Sequence, residues 1–583
     1  KTVDFEDIVS PDNMASQISN KWMELNAYRT SWIEDRKELR NYLFATSTST
    51  TSNASLPFTH TTTIPKLTHL RDNLHANYFF TLFPNREWLV WESNTREDAT
   101  REKERAVTGY TRTKVRRSGL VDTMSKLLYD MLDTGNMFAI VEHETDTTTT
   151  LDGEVIVNYV GPKLRRISPY DIVFDPTAAS FRDSPKIIKT LMSFGQIKKL
   201  ADRGNQDYAA IFSKLVKNRK NVQAHADAQI HKSDGYVADG FSSIQSYYQS
   251  NMVEILTFFG DMYDIATDTL YENAIITIAD RTILVSNKPN PKWTGSDGIH
   301  HYAWRERPDN LYGMGPLDNL VGLQYRIDHL ENMRATIFDQ IGLGMIKIKG
   351  DVEDFEMEPL GRIYCGDEGD VSYLVPDASV LNADFQISAL ESRMEEMAGM
   401  PRMALGFRTP GEKTAFEVGA LMNSANRIFE HKSGMIEREF LEPIINDFLE
   451  EGRRNLNESD TIRVLDKATG SYIFKTVTKE DIVGAGSMMP VGARHFAERA
   501  LRVSQIVQLQ QVSQDPRVAS HISGLTMAKI LAEELGEDAL FGENIAITEQ
   551  MDTEKFREDQ MVQAQEEEMV KAQQWVANAR RHT

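Results

Sequence analysis

Apolar residues recur every three or four positions through much of the chain, and this spacing is interrupted by stretches of short apolar runs set between turns. Met14, Ile18, Trp22 and Leu25, with Trp32 and Leu43 beyond them, predict a helix over 13–44. The hydroxyl-rich run 45–53 follows. Its side chains compete with the backbone for hydrogen bonds, so it reads as a loop. A second helix is predicted over 63–81, carrying Leu67, Leu70, Leu74, Phe79 and Phe80, and Pro84 stops it. Trp88 to Trp91 reads as a short buried strand. Helices are then predicted over 97–117 and 121–133, with Gly135-Asn136 as a C-cap.

The period then changes. Short strands are predicted at 137–144, 155–160, 165–167 and 172–174, separated by Asp-Gly, Gly-Pro and Ser-Pro turns. Residues 219–250 read as a long polar loop. Strands return at 253–259, 264–270, 274–278 and 282–286, and Pro289 and Pro291 end that run. The first half is therefore α+β.

The second half is richer in helix. Leu320, Leu323, Ile327, Leu330, Ile337 and Ile341 form a heptad-like stripe over 316–345, a helix about 45 Å long. Residues 347–384 break the pattern, hold ten acids against three bases, and contain strand candidates at 346–348, 362–364 and 371–375. Ile387, Leu390, Met394 and Met397 mark another helix, stopped by Gly399-Met-Pro401. Thr409-Pro410-Gly411-Glu412 has capping-box form and opens a helix to about Leu456, which Pro443 should kink. A hairpin (461–465 with 472–477), a turn at Gly484-Ala-Gly486 and a mostly helical stretch from Phe496 complete the reading.

Composition narrows the chemistry. A length of 583 residues gives a prior of roughly four domains. The formal net charge of −21 argues against a protein whose whole surface grips phosphates. One cysteine, Cys365, excludes disulfide frameworks, Cys-based zinc sites and CxxC redox chemistry, and points to a reducing compartment or a particle assembled inside one. No apolar run approaches the ~20 residues that span a bilayer. The start, Lys1 to Phe5, is unlike a secretory leader, and the missing initiator Met points to a trimmed or processed start.

Each chemical motif has a plainer explanation. Gly406 to Thr414 approaches a Walker A loop, but Glu412 intrudes where phosphates would sit and no strand precedes it. A capped loop before a helix explains it better. Gly313-Met-Gly315-Pro-Leu-Asp318 lacks the third Gly of a dinucleotide fingerprint. His300-His301 has no HExxH or carboxylate pair beside it and reads as packed or surface imidazole. Acid clusters such as 351–354 and 566–568 read as solvated faces. We expect no catalytic residues, no metal site and no cofactor. A nuclease or an ATPase would need a phosphate cradle or a tight carboxylate site.

Several short motifs fall in a fixed order along the chain. They are Phe83-Pro-Asn-Arg-Glu-Trp88, Tyr129 to Asn136, Pro169 to Pro176 and Gly260-Asp-Met-Tyr-Asp264. Tyr312 to Leu317, Gly399-Met-Pro401, Thr414 to Val418 and Pro490-Val-Gly-Ala-Arg494 continue the series, which covers roughly residues 15–510. In order and spacing these motifs resemble the portal protein (head-to-tail connector) of short-tailed bacteriophages, and the resemblance implies an α+β, helix-rich subunit with wing, stem, clip and crown, assembled as a ring, usually of twelve copies, around a DNA channel. On that plan residues 1–315 and 401–495 form the wing, 316–346 and 385–400 the two stem helices, 347–384 the clip and 496–583 the crown.

The implied location is the virion head-tail junction, with host cytoplasm during assembly. The implied partners are the major capsid protein, scaffolding protein, the terminase large subunit, tail adaptor or nozzle proteins and double-stranded DNA. The family's channel-lining loop corresponds here to about Arg402 to Lys413. Arg402, Arg408 and Lys413 are therefore DNA-channel candidates, with intersubunit pairing to Glu412 or Glu417 as the alternative. The stripe Leu320, Leu323, Ile327, Leu330, Ile337 and Ile341 supplies the stem-packing candidates. Another ring-forming virion component or tail-tube protein is the competing class.

Overall fold

The computed structural model describes residues 14–84, 88–95, 101–149, 155–202, 204–218, 252–264, 267–343, 345–350, 369–374, 383–399, 428–456, 459–465 and 472–491. Helix α1 (Met14–Leu43) leads through two 3-10 turns, Thr48–Thr50 and Ser52–Ser55, to α2 (Lys66–Leu82) and β1 (Leu89–Ser93). Next come α3 (Arg101–Ser118), α4 (Leu120–Thr134), β2 (Asn136–Thr149), β3 (Val155–Ile167), β4 (Ile172–Phe174) and β5 (Lys186–Ser193). Helices α5 (Phe194–Asp202) and α6 (Gln206–Asn218) precede β6 (Met252–Asp264), β7 (Thr269–Ala279) and β8 (Ile283–Pro289). Strands β9 (Ile299–Ala303), β10 (Arg305–Arg307) and β11 (Asn310–Met314) lead to α7 (Val321–Leu343). Strands β12 (Met345–Lys349) and β13 (Asp370–Leu374) then precede α8 (Ala383–Met397). A helix over 428–436 passes through a π-helical turn, Glu437–Leu441, into α9 (Glu442–Asn455). Strands β14 (Ser459–Leu465) and β15 (Tyr472–Thr478), one helical turn (Lys479–Ile482) and β16 (Gly486–Pro490) close the described chain.

Two compact units result. The first holds residues 1–99, 114–457 and 483–493; the second holds 100–113, 458–482 and 494–583. In the first unit, β4 to β8 form a five-stranded antiparallel sheet in sequence order. Side chains alternate across it. Leu256 and Phe258 of β6 join Ile276 and Ile278 of β7 against Met14, Ile18, Trp22 and Leu25 of α1. Val253 and Ile255 face the other way and pack with Ile197 of α5 and Ile211 and Leu215 of α6. A third cluster joins Trp32 and Ile33 of α1 to Phe138, Ile140 and Ile167 of the three-stranded sheet β3-β2-β9. Each cluster removes several large side chains from water, at roughly 1.5–3 kcal/mol apiece. Strands β1 and β16 pair antiparallel, although nearly four hundred residues of chain separate them.

In the second unit the described part is a β14–β15 hairpin, the 3-10-free helical turn after it and residues 101–113 of α3. It buries Val107, Tyr110, Ile462, Val477 and Ile482.

The α+β class and most helices match the periodicities. Gly135 does cap α4: its N–H donates to the Met131 carbonyl at 2.9 Å with φ of 77°. A Cβ there would run into the Gly315 nitrogen, so only glycine fits this junction. Several expectations need correction. The strands expected at 155–160 and 165–167 are one strand, β3, because it lies on the sheet edge, where Pro162 needs no ladder partner. The strand expected at 264–270 is divided: Asp264 ends β6, Thr269 and Leu270 open β7, and Asp268 just before β7 holds φ of 51°. Strand β8 runs on to Pro289, which an edge position also tolerates.

Strand β5, helices α5 and α6, and strands β9 to β11 have no counterpart in the expected elements. For β5 the reason is physical. Its Lys186 and Lys189 point inward, neutralised by Asp297 and Glu254, where a sequence pattern puts lysine outside. The 316–345 helix is shorter than expected: a 3-10 turn, Asp318–Leu320, precedes the 23 residues of α7. Pro443 offers no N–H to the carbonyl four residues back, and the chain widens into the π-helical turn just upstream. The 219–250 loop, the 362–364 strand, the 406–414 segment and the helices from Phe496 lie outside the described residues.

Candidate assembly surface

Helices α7 and α8 flank the antiparallel β12–β13 hairpin, in which Met345 pairs with Leu374 and Lys349 with Asp370. The two helices run antiparallel. Arg334 of α7 pairs with Asp384 at the start of α8, and also with Glu331 at 2.8 Å. At the opposite end, Glu395 of α8 pairs with Lys66 of α2 at 2.6 Å, and the neighbouring Leu67 N–H donates to Gln324 near the start of α7.

One face of α7 is a row of polar side chains four residues apart. Gln324, Asp328 and Asn332 are all buried. Each reads the backbone of the extended segment before α2. Gln324 Nε2 donates to the Ile64 carbonyl at 2.5 Å. Asp328 accepts from the Ile64 N–H at 3.0 Å and the Thr63 hydroxyl at 2.8 Å. Asn332 both accepts from the Thr62 N–H at 2.9 Å and donates to the Thr62 carbonyl at 2.8 Å. Burial pushes the Asp328 carboxyl up from its ordinary pKa, with these hydrogen bonds pulling the other way. Thr336 and Asp339 extend the row to Thr59 at 3.4 Å and His60 at 2.6 Å. These residues are absent from the candidates above because a polar i, i+4, i+8 row on a helix ordinarily faces water. Their strict spacing was the available signal.

The apolar stripe runs beside this row, since Leu320 precedes Gln324 by four residues and Ile327 follows it by three. Leu320, Ile327 and Leu330 are buried within a single copy of the chain, whereas Leu323, Ile337 and Ile341 are half-buried. On α8, Ala383, Ile387 and Met394 are buried, as is Ala398 just past its end; Met397, placed in the expected stripe, is exposed. Toward the hairpin, large apolar side chains meet solvent: Phe338 is 65% exposed, Ile348 55% and Phe385 83%.

The remaining candidates separate. Arg402, Arg408 and Lys413 lie outside the described residues, as do Glu412 and Glu417. His300 pairs with Asp447 at 3.0 Å, and His301 meets Asn136 Oδ1 at 3.0 Å, so the two imidazoles point to different partners. Burial pushes His301 down to about 3, leaving it neutral. Among the described residues, no three or more His, Cys, Asp or Glu side chains converge as a metal site would require, and no helix is long and apolar enough to cross a membrane.

Comparison with protein-family models and with curated proteins gave no match. The functional reading therefore rests on the motif resemblance and on this surface.

Proposed function

We propose that this chain is a portal subunit, a non-enzymatic ring component at the head-tail junction of a short-tailed bacteriophage, through which the genome enters and leaves. The observation that supports it most is the α7–hairpin–α8 unit, braced at one end by the polar row and bare at the other. Exposed Phe338, Ile348 and Phe385 are poorly suited to water. A rotational ring covers such a patch by repeating one contact around an axis. In this reading α7 and α8 are the stem and the acidic 347–384 insertion is the clip, docking terminase during packaging and tail adaptor or nozzle proteins afterwards.

Major capsid and scaffolding proteins are the proposed partners during assembly. The net charge of −21 per chain suits a conduit that lets duplex DNA slide without gripping it. Arg402, Arg408 and Lys413 remain candidates for sparse contacts to the phosphate backbone, on the strength of the resemblance alone. Electron-microscopy class averages of the purified protein test the proposal. Closed rings viewed down their axis, with a channel wide enough for a duplex and no ATP hydrolysis in the preparation, are expected. Monomeric particles, or ATP hydrolysis abolished by Lys413→Ala, contradict it.

A further inference from the structure

A cavity of 270 Å³ lies beside α1, bounded also by β5 and by the turn that joins β7 to β8. Met23, Ala27 and Thr30 form its outer rim, and all three are exposed. Lys189 and Arg281 lie deeper, with Trp22 and Asn26 beside them. The side chain of Lys189 is only 2% exposed. Among the described residues its ammonium meets Glu254 Oε1 at 3.5 Å, a loose contact. Glu254 is already engaged by Arg281, whose Nε and Nη2 reach its two oxygens at 3.0 and 3.2 Å. One carboxylate thus serves two cations, and Lys189 keeps donor capacity beside the cavity.

Arg29, buried on α1, donates to the carbonyls of Pro169, Tyr170 and Ile172 and to Asn26 Oδ1. That last bond leaves the Asn26 Nδ2 donor for other partners. Glu254 and Asp171 are the acids that act on Lys189, and Asp171 also acts on Arg29; a third acid, buried Asp280, precedes Arg281 in the turn, so three cations stand among three carboxylates. Burial holds Lys189 below its ordinary pKa in spite of both acids. The backbone adds a separate sign. Asp280 and Arg281 hold φ of 47° and 59° in the β7–β8 turn, a conformation that favours glycine. Arginine at that position sets its guanidinium on Glu254 and against the cavity.

We propose that this cavity binds a phosphate-class oxyanion through Lys189 and Arg281. Ammonium and guanidinium donors give charge-assisted hydrogen bonds to tetrahedral oxyanions. At about 30 Å³ per liquid water, the space takes a phosphate group and a few waters. It falls just below the ~300 Å³ at which pockets hold whole drug-sized ligands. The ligand is therefore free phosphate or the terminal phosphate of a mononucleotide whose base stays outside.

Isothermal titration of the full chain with inorganic phosphate and with deoxyadenosine monophosphate, in phosphate-free buffer, tests this. Saturable binding is expected, weakened about tenfold or more by Lys189→Met. Ala27→Trp should obstruct the mouth and weaken binding similarly without removing a charge, which keeps the test decisive if Lys189→Met folds poorly. Lys198→Met, on an exposed helix face, should change nothing. Tighter binding of the nucleotide assigns the nucleotide source; equal or weaker binding assigns the free anion. Absence of saturable binding to both probes, or binding indifferent to both cavity variants, overturns the proposal.

Discussion

Asp328 is buried on α7 and accepts hydrogen bonds from the Ile64 N–H, the Thr63 hydroxyl and the Gln324 amide. Leucine there would fill the space but leave those donors without an acceptor, at roughly 1–3 kcal/mol for each buried group. Asp328→Leu should therefore lower stability by about 3 kcal/mol in urea unfolding, and a loss under about 0.5 kcal/mol would show that water replaces the carboxylate. Asp130 makes a different prediction. Burial raises its pKa to about 6 even though Arg166 Nη2 lies 2.6 Å away and pulls it down. An acid whose folded pKa exceeds its ordinary 3.8 binds extra protons in the folded state between those values. Its contribution to stability is thus greatest below about pH 4 and falls as pH rises to about 6. Asp130→Asn should remove this slope, so that the variant gains on the parent by on the order of 2 kcal/mol between pH 4 and pH 7. Thermal midpoints at the two pH values measure it, and a gap that does not change with pH contradicts the burial argument.

Helix α7 carries two kinds of apolar position that one stripe in the sequence does not separate. Leu330 is buried within a single copy, whereas Phe338 two turns on is exposed. Leu330→Asp should lower the thermal midpoint of the chain itself, because it buries an unpaired charge. Phe338→Glu should leave that midpoint nearly unchanged and weaken association instead. Equal effects of both on folding would mean that Phe338 is internal. The same contrast explains what was legible. Helices α1, α2, α4 and α8 follow from apolar spacing because each lays one stripe on a core. Strand β5 and the Gln324-Asp328-Asn332 row do not, because their charged and polar side chains lie inside the fold beside partners distant in sequence. Of the candidate site, the α7 stripe is legible as periodicity; the divide between its buried and exposed members depends on α2 and α8 packing beside it.

At the scale of the whole molecule, the proposed ring draws on an acidic chain, on exposed Phe338, Ile348 and Phe385, and on the basic residues Arg402, Arg408 and Lys413. Arg408→Glu and Lys413→Glu should leave rings intact but impair DNA packaging or retention, since screening confines a reversed charge to about 10 Å at ordinary salt. Normal packaging by both variants removes these residues from the channel, and failure to form rings assigns them to intersubunit ion pairs. Ring formation itself is the central claim. Mass photometry of the parent chain and of Phe338→Glu with Phe385→Glu tests it most directly. A discrete closed oligomer, most simply twelve copies, that the paired substitutions shift toward monomer is the predicted result. Monomer or dimer alone, across salt and protein concentration, would contradict it.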